Sequence, residues 1–465
     1  MALIKNPLSG GGNGGGGSDI VNGIIESYKS SSEYITPNTF VEFVNAGMLD
    51  TVDGPDELTT ALQFGALFNQ AITIGDNKVL LIYGSDSGTN KDKIYGNIIT
   101  ISNQTISAGG EQELISGTYG YGFHACKISD TSIFIAYGSG SNYELASSIL
   151  TISGSTITAG TQQVWSVGTY TGASRTTVYL GNNKVFVAHK GASGNQYLYG
   201  FTVSISGTTM TMDRQDTLIA SGSSGDEIGL VKNGSATLLD DGDVFIARAG
   251  PNSSPYSAYG QVITISSWTV GTAVALTSVV TNDMQHSFLL SSGAVFIECS
   301  GYYTNDYATK YAYGVVATVS SRVINAGAAT FIQNANAYGS VLEFKPNRLA
   351  GMYGSLSSNN FVCIGMNILG TSIEIGAPNV VAPAVGVTPA ISSARISIPI
   401  MVGSNILYEY RTEEYSSEKW YCVLSDTSGL LKVKTSEMYI DGLTKSACAV
   451  SSPGDVWVLN TSESE

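Results

Sequence analysis

Short, nearly continuous apolar segments recur along the chain and are separated by turn-forming residues. Seven of them are related phrases, VLLIYG, IFIAYG, VFVAHK, VFIARA, VFIECS, LAGMYG and ILYEYR, which begin at Val79, Ile133, Val185, Val244, Val295, Leu349 and Ile406. Successive phrases start 51 to 59 residues apart. A self-similar period of this length predicts a repeat architecture. The continuous apolar runs predict strands that are covered on both faces.

Each repeat contains the signals of four short antiparallel strands. A tight turn, such as residues 75–78, precedes the phrase, and an apolar segment precedes that turn. A second recurring strand follows the phrase, as in YGNIITIS from Tyr95, and a third, as in QTISAG from Gln104, comes after a short turn. Four such strands form one blade of a β-propeller. The pattern therefore predicts one blade for each repeat.

A propeller explains how sheets of this composition bury both faces. Ring closure stacks each blade on its neighbours and leaves only short edges exposed. The small residues Ala136, Ala188 and Ala247 suit phrases that crowd toward a central axis. WD and kelch signatures are absent, so the prediction depends on spacing alone, and a β-solenoid and a pair of packed sandwiches remain competing folds.

The segments outside the repeats predict a second domain that is divided by the propeller. A glycine-rich tract at residues 10–17 leads to Ser18, a good helix N-cap, and residues 19–29 place five apolar side chains on or beside one helical face. An alternating strand follows from Thr39, and two strands flank a Ser-Pro-Gly turn at residues 452–454. A helix this short requires a docking partner. The five apolar residues, proposed to anchor the chain, are Ile20, Val21, Ile24, Ile25 and Tyr28.

The sequence thus predicts an all-β protein. A seven-bladed propeller at residues 55–436 is inserted in a small β-barrel anchor domain. That domain is formed by residues 1–54, which include the glycine-rich arm and the short helix, and by residues 437–465.

Composition and charge limit the classes of binding partner. Charged residues make up only 13% of the chain, and the net charge of −15 argues against nucleic acid, which requires a basic surface. The 5 cysteines lack metal-ligand spacing and are interpreted as buried free thiols, typical of folding in a reducing cytoplasm. No apolar run is long enough for a signal peptide or a membrane span, so neither is expected.

The sequence does not predict catalysis, a cofactor or a metal. His124, His189 and His286 each lie in or beside an apolar strand, where packed histidines are expected. Asp240, Asp241 and Asp243 have the spacing of a hairpin turn, although Ca²⁺ binding is an alternative. A glycan-cleaving propeller would need an arginine cluster, a Tyr, Asp or Glu nucleophile and a partnered acid. The arginines are scattered, and Arg175, Arg248 and Arg411 would have to converge at the axis to form one.

The abundant tyrosines are the best candidates for recognition. Tyr95, Tyr199, Tyr259 and Tyr313 open recurring strands and are expected to pack between blades. Tyr302, Tyr303 and Tyr307 lie in a connecting loop and are the candidate ligand-binding residues. Tyrosine suits this role because it combines an apolar ring with a polar tip and loses little rotamer entropy.

The two ends of the chain resemble structural proteins of tailed bacteriophages and prophages of Gram-positive anaerobes. The resemblance rests on LIKNP with the glycine-rich tract, NTFVEFVN, IDGLTKSA and GDVWVL. The C-terminal end also resembles the small β-barrel of capsid decoration proteins, on a pattern formed by Gly442, Leu443, Thr444, Ser446, Gly454, Asp455 and residues 456–459. The resemblance covers the ends alone. A plain decoration protein would lack the long insertion.

The resemblance implies a non-enzymatic virion protein, made in the host cytoplasm and located at the virion surface. We expect a capsid decoration or head-fibre protein that displays its propeller for adhesion to host-surface or environmental glycans. Its partners would be other virion proteins, a host glycan or protein, and further copies of itself, without nucleic acid or membrane insertion. A receptor-binding tail or baseplate fibre is the first alternative, and a glycan-cleaving depolymerase is the second.

Overall fold

The fold was analysed in a computed structural model of the 465-residue chain. The structure describes residues 24–30, 40–43, 50–57, 68–85, 93–102, 105–140, 144–165, 175–190, 198–219, 235–249, 258–277, 283–302, 310–334, 340–354, 361–376, 378–382, 399–403, 405–412, 419–426, 430–433, 442–444 and 454–458. These residues form strands and turns and contain no helix. They belong to two compact units, one made of Met1–Val44 with Leu430–Glu465 and the other of Asn45–Gly429.

The first unit is a closed five-stranded barrel with the strand order β1-β36-β2-β37-β38. Its strands are β1 (Ile24–Ser30), β2 (Phe40–Phe43), β36 (Leu430–Val433), β37 (Gly442–Thr444) and β38 (Gly454–Val458). The two strands predicted around the Ser-Pro-Gly turn are β37 and β38, which pair with each other. Strands from both ends of the chain therefore close a single barrel.

The predicted N-terminal helix is wrong for the residues that the structure describes. Ile24, Ile25 and Tyr28 lie on strand β1, which pairs with β38 along five residues. The helical spacing of apolar residues was misleading because Gly23 precedes two adjacent β-branched isoleucines, and both features favour a strand over a helix. Ile20 and Val21 lie outside the described residues.

The second unit contains a β-propeller. Six blades are each built from consecutive strands, with the fourth position divided between two short strands in all but blade 3. Blade 1 contains β4 (Phe68–Gly75), β5 (Lys78–Ser85), β6 (Lys93–Ser102), β7 (Thr105–Ala108) and β8 (Gln112–Ser116). Blade 2 contains β9 (Thr118–Ser129), β10 (Ser132–Ser139), β11 (Glu144–Ser153), β12 (Thr156–Ala159) and β13 (Gln163–Trp165). Blade 3 contains β14 (Arg175–Gly181), β15 (Lys184–Lys190), β16 (Leu198–Ser206) and β17 (Thr209–Ile219).

The remaining blades follow the same order. Blade 4 contains β18 (Ala236–Leu238), β19 (Val244–Ala249), β20 (Ala258–Thr264), β21 (Thr269–Val270) and β22 (Val274–Thr277). Blade 5 contains β23 (Asp283–Leu289), β24 (Val295–Tyr302), β25 (Lys310–Ser320), β26 (Val323–Ala326) and β27 (Thr330–Asn334). Blade 6 contains β28 (Ser340–Lys345), β29 (Arg348–Gly354), β30 (Phe361–Leu369), β31 (Ser372–Ile375) and β32 (Asn379–Ala382).

A composite sheet in the same unit joins strands from before and after the six blades. Its order is β3-β35-β34-β33, from β3 (Asp50–Glu57), β33 (Ile400–Val402), β34 (Asn405–Thr412) and β35 (Lys419–Asp426). The seventh apolar phrase lies on β34 of this sheet. The sequence placed the domain boundaries after residues 54 and 436, whereas the two units divide after residues 44 and 429 because β3 joins this sheet and β36 joins the barrel.

The apolar phrases occupy the second strand of every one of these sheets. Val79 to Tyr83 are fully buried in blade 1, and Ala136, Ala188 and Ala247 are equally buried in blades 2, 3 and 4. The prediction of strands covered on both faces is confirmed for these positions. First strands of successive sheets lie beside one another, in the order β33, β4, β9, β14, β18, β23 and β28, so they are the strands that face the propeller axis.

The two edges of the propeller differ in the length of their connections. First and second strands are joined by tight turns, for example at Asn182 and Asn183, whose φ angles of 49° and 56° suit a two-residue hairpin. Connections between second and third strands, and between blades, leave the sheets at the opposite edge. Residues 86–92, 191–197, 250–257 and 303–309 are connections of this longer kind, and they lie outside the described residues.

Candidate binding surface

One of the three predicted ligand-binding tyrosines, Tyr302, lies in the part of blade 5 that the structure describes. Tyr302 is the last residue of β24 and is paired in register with Lys310, the first residue of β25. Tyr303 and Tyr307 lie in the connection between these strands, outside the described residues. Ligand contact by these three tyrosines stays a prediction.

Blade 5 carries an aromatic cluster on its outer flank, on strands β25 and β27. Tyr311 and Tyr313 alternate along β25, and Phe331 on β27 is paired with Tyr313. The ring centroid of Phe331 lies 6.0 Å from that of Tyr311 and 5.9 Å from that of Tyr313, both in edge-to-face geometry. Tyr313 is buried and Tyr311 is half-buried, whereas Phe331 is 45% exposed.

The same positions carry different chemistry in the other blades. The residue paired with the strand-opening tyrosine is Glu113 in blade 1, Thr217 in blade 3 and Ala275 in blade 4. In blade 1, Lys93 replaces Tyr311 and forms an ion pair with Glu113, with a nitrogen–oxygen distance of 2.7 Å. At this position, blade 5 has aromatic side chains with one exposed ring, whereas blade 1 has an ion pair.

Sequence reasoning missed Phe331 because it considered the tyrosine-rich loop and not the outer strand that reaches it. The strand-opening tyrosines were expected to pack between blades, but their ring contacts lie within their own blades, although Tyr95 also shares a cluster with Val402 and Leu407 of the composite sheet. Tyr95 and Tyr313 are buried, and each packs first within its own blade. Tyr95 stacks on Tyr83 with ring centroids 6.1 Å apart, and Tyr199 stacks on His189 at 5.5 Å.

A layer of polar side chains surrounds the axis, and it was also missed. In blades 1 to 6, the first strand has a polar residue that lies opposite the fourth residue of the apolar phrase on the second strand. These residues are Gln70, His124, Thr176, Ser235, His286 and Ser340. A signal was present in the sequence, because polar residues interrupt otherwise apolar segments at the same distance ahead of each phrase.

The axial layer joins neighbouring blades by hydrogen bonds. Gln70 Nε2 donates to the Ala125 carbonyl at 2.7 Å, and the Ala125 N–H donates back to Gln70 Oε1 at 2.8 Å. His124 Nδ1 accepts from the Thr177 N–H at 3.0 Å. Beside this layer, the hydroxyls of Thr237 in blade 4 and Ser287 in blade 5 lie 2.8 Å apart. These contacts indicate a structural role in holding successive blades together.

Burial shifts the pKa values of three titratable groups near the axis. Burial lowers the pKa of His124 to about 3, with further contributions from His286 and Arg175. Burial likewise lowers the pKa of His286 to about 4. Glu298, whose carboxyl group is buried between blades 5 and 6, has a pKa raised to about 8 by the loss of solvation, and Tyr353 partly offsets this rise. Both histidines are therefore neutral and Glu298 is protonated near pH 7.

The described arginines do not form the cluster that a glycan-cleaving site would need. Arg175 is buried on a first strand and donates to the Gly122 carbonyl. Arg248 lies on a second strand, donates from Nε to Gln261 Oε1 at 2.8 Å, and stacks over the Tyr259 ring. Arg411 lies on β34 of the composite sheet. Arg175 and Arg248 are thus placed on different strands with different partners.

The acidic cluster closes a turn, as predicted. Asp241 Oδ1 accepts from the Asp243 N–H at 3.0 Å. Asp243 Oδ2 accepts from Thr264 Oγ1 at 3.0 Å and from Arg322 Nε of blade 5 at 3.3 Å. A polar surface pocket of about 470 Å³ lies here, lined by Asp241, Asp243, Thr264, Ser266, Ser321 and Arg322. In the described part of the chain, no group of three or more His, Cys, Asp or Glu side chains is placed to hold a metal.

The cysteines whose surroundings are described are free thiols. Cys299 and Cys363 are buried and Cys126 is half-buried. Within the described segments there is also no helix with the length and apolar character needed to cross a bilayer.

Comparison with known proteins gives similarity of fold only. No known protein family and no curated protein matches the chain's sequence. Among solved structures, a candidate 6-phosphogluconolactonase from Bacteroides fragilis NCTC 9343 is 10% identical, with a TM-score of 0.46 over 81% of this chain and 97% of that one. A second candidate 6-phosphogluconolactonase, from Bacteroides uniformis ATCC 8492, is 11% identical, with a TM-score of 0.46 over 82% and 98%. A protein of unknown function from Dyadobacter fermentans DSM 18053 is 11% identical, with a TM-score of 0.42 over 83% and 99%. At this level of similarity nothing follows about activity.

Proposed function

We propose that the chain is a non-enzymatic structural protein of a tailed bacteriophage particle, of the capsid decoration or head-fibre type, which displays a propeller for adhesion to host-surface or environmental glycans. One observation carries the proposal. Strands from both ends of the sequence close one small barrel, and the propeller is inserted between them. The residues that resemble capsid decoration proteins include Gly442, Leu443 and Thr444 of β37, and β38.

The position of the propeller's own ends supports a display role. Asp50, which begins β3, is paired with Asp426, which ends β35, and Asp426 is also paired with Asn405 beside a tight turn. Both connections to the barrel therefore leave from the tight-turn edge of the composite sheet. The connections between second and third strands leave the sheets at the opposite edge.

We further propose that the composite sheet is the seventh blade and closes the ring. Thr73 of blade 1 donates to the Met401 carbonyl of β33 at 3.0 Å, and Val402 and Leu407 pack in one cluster with Val79 and Leu81. On its other side, β3 lies beside β32 of blade 6. A blade assembled from both ends of the unit ties them together, which opposes opening of the ring.

Adhesion would operate through avidity. Many copies on one particle convert weak individual contacts into durable attachment, because each later contact forms at high effective concentration. The net charge of −15 makes strongly anionic glycans poor ligands and favours neutral ones.

Localisation in the particle tests the proposal. Cryo-electron microscopy of particles with and without the intact chain should show additional density on the capsid. Density at the baseplate alone would contradict the capsid assignment and support assignment as a tail fibre. Release of reducing ends from host polysaccharide by the purified chain would contradict the non-enzymatic assignment.

A further inference from the structure

We propose that the facing strands of blades 5 and 6 unfold locally before the rest of the propeller does, and that this local unfolding is coupled to the release of one proton by Glu298. The inference concerns the propeller alone and does not depend on the phage role proposed above. The carrying observation is the carboxyl group of Glu298, which is 1% exposed and whose two oxygens have no hydrogen-bond partner of normal geometry among the described residues.

Glu298 occupies a position that is apolar and fully buried in the other five blades. It is the fourth residue of its phrase, and the corresponding residues are Ile82, Ala136, Ala188, Ala247 and Met352. Side chains at this position face the next blade, since Ile82 packs in one cluster with Ile133 and Ile135 of blade 2. Glu298 therefore places a carboxyl group between two sheets whose contact is otherwise mostly apolar. Burial of such a group without hydrogen bonds is unfavourable.

Two other titratable side chains meet Glu298 at this junction. His286 is paired with it on β23 and is hydrogen-bonded to the backbone of Val341 in blade 6, while burial lowers the pKa of its ring to about 4. The hydroxyl of Tyr353 in blade 6 lowers the pKa of Glu298, and burial with the nearby Glu298 raises the pKa of Tyr353. That hydroxyl forms no hydrogen bond of normal geometry with the described residues. Both neighbours are uncharged near pH 7.

No basic group of the described residues is placed to neutralise an ionised Glu298, because burial and Tyr353 are the two influences on its pKa. On β25, the residues that share this face are Ala312, Gly314 and Val316, which carry no charge. Glu343 of blade 6 accepts from the Ser291 N–H at 2.7 Å near the tight turn. Other titratable groups on the adjoining strands are Cys299, Cys363, Lys345 and Arg348.

The unfolding of these strands is linked to pH through Glu298. Exposure to water returns its carboxyl group to an ordinary pKa of 4.5 from about 8 in the folded chain. Between these values the unfolded strands release a proton that the folded strands hold, so unfolding becomes more favourable as the pH rises. Below pH 4.5 both states hold the proton and above pH 8 neither does, so the dependence ends at both limits.

The junction between blades 1 and 2 has the opposite character. Gln70 of blade 1 exchanges two hydrogen bonds with the backbone of Ala125 in blade 2, and Ile82 stands at the position of Glu298. Local unfolding starts where buried contacts are least favourable. The junction between blades 5 and 6 should therefore unfold more readily than this one.

Hydrogen–deuterium exchange of the purified full chain, followed by mass spectrometry of its peptides, measures local unfolding. Exchange rates between about pH 5 and pH 9 are divided by the rates of unstructured amides at the same pH, which gives a protection factor. We expect protection in β24, β28 and β29 to fall by up to about tenfold per pH unit between about pH 5 and pH 8, because one proton is released, and then to level off. Protection in β5 and β10 should remain higher at every pH.

Variants assign the proton to Glu298. Glu298→Gln should remove the pH dependence of protection at the junction, and so should Glu298→Ala, which introduces the residue that blades 2 to 4 have at this position. Tyr353→Phe removes the hydroxyl that lowers the pKa of Glu298, so the pH dependence should continue to a higher pH than in the unaltered chain. Glu374→Gln, at an exposed position of blade 6, is the control and should behave as the unaltered chain does.

Three results would overturn the inference. Junction protection that does not change between about pH 5 and pH 8 would exclude proton-coupled local unfolding. Equal protection and equal pH dependence in blades 1, 2, 5 and 6 would mean that Glu298 releases its proton only when the whole propeller unfolds. A pH dependence that persists in both Glu298 variants would assign the proton to another group. If Glu298→Gln does not fold, Glu298→Ala decides this last point.

Discussion

At the scale of single residues, the main feature is a set of buried titratable groups that are neutral near pH 7. His124 and Glu298 lie on different blades, and burial shifts their pKa values in opposite directions. Both shifts express the same cost, because an ion placed in a low-dielectric interior loses its hydration. Each of the two groups should therefore make its own contribution to the pH dependence of stability.

Glu298→Gln is expected to flatten the stability profile between about pH 4.5 and pH 8. The folded chain holds the Glu298 proton up to about pH 8, whereas a glutamate in the unfolded chain releases it near pH 4.5. Unfolding therefore releases a proton in this window, and stability falls as the pH rises through it. Above pH 8 the glutamine variant should be more stable than the unaltered chain by roughly 1–3 kcal/mol.

Urea unfolding at several pH values between these limits measures the effect. Glu374→Gln, at an exposed position of blade 6, is the control and should leave the profile unchanged. A Glu298→Gln profile parallel to that of the unaltered chain would mean that Glu298 does not titrate in this window.

His124→Asn is expected to remove part of the acid sensitivity. In the folded chain the pKa of His124 is lowered to about 3 from an ordinary value of 6.5, so acid protonates the unfolded state first. Stability is therefore lost as the pH falls below about 6.5. Asparagine does not titrate, and its amide oxygen can accept from the Thr177 N–H as Nδ1 does.

The unfolding free energy of this variant should change less between neutral and acidic pH than that of the unaltered chain. Thr177→Val removes the hydroxyl that lies 2.8 Å from Nδ1 but keeps the backbone donor and the titrating ring, so it should retain the acid dependence. Equal acid dependence in the His124→Asn variant and the unaltered chain would assign the dependence to other groups.

At the scale of strands and blades, glycine residues allow neighbouring sheets to approach each other closely. A Cβ atom on Gly327 would lie 2.3 Å from the Thr371 carbonyl oxygen of blade 6, and that oxygen belongs to backbone that cannot easily move. Gly110, one residue after the corresponding Gly109 of blade 1, has open space where a Cβ atom would lie. These two residues make a matched pair for testing blade packing.

Gly327→Ala should destabilise the propeller by about 1–3 kcal/mol, because the added methyl group forces blades 5 and 6 apart. Gly110→Ala should be neutral or slightly stabilising, since alanine reduces the entropy of the unfolded chain. Chemical unfolding of both variants measures the difference. Equal stabilities would show that the contact between blades 5 and 6 relaxes without cost.

The repeating elements were predictable from sequence, whereas their lateral contacts were not. The phrases from Val79 to Leu349 fall on second strands because continuous apolar runs favour strands buried on both faces. Strand β1 was mistaken for a helix because short apolar segments fit both periods. Phe331 and the polar axial residues were missed because their neighbours are far apart in sequence and become adjacent only when strands pair.

At the scale of the whole molecule, the barrel and the propeller are separate compact units, and each can be altered without cutting the other's sheets. Strand β38 is central to the barrel, since it is paired with β1 from the N-terminal part of the chain and with β37. It belongs to no sheet of the propeller. The C-terminal end of the chain is therefore the place to test whether the barrel anchors the protein.

Deletion of residues 454–465 removes β38 and exposes the edges of β1 and β37; under the virion role proposed above, it should prevent incorporation into phage particles. The propeller should keep its own unfolding transition, because its sheets contain every strand that they had before. Deletion of residues 461–465, which lie beyond β38, is the control and should leave incorporation unchanged. Incorporation is measured by immunoblotting purified particles, and unfolding by calorimetry on the free protein. If the longer deletion is incorporated normally, the barrel is not the anchor. If the propeller's unfolding transition is lost, the two units fold as one.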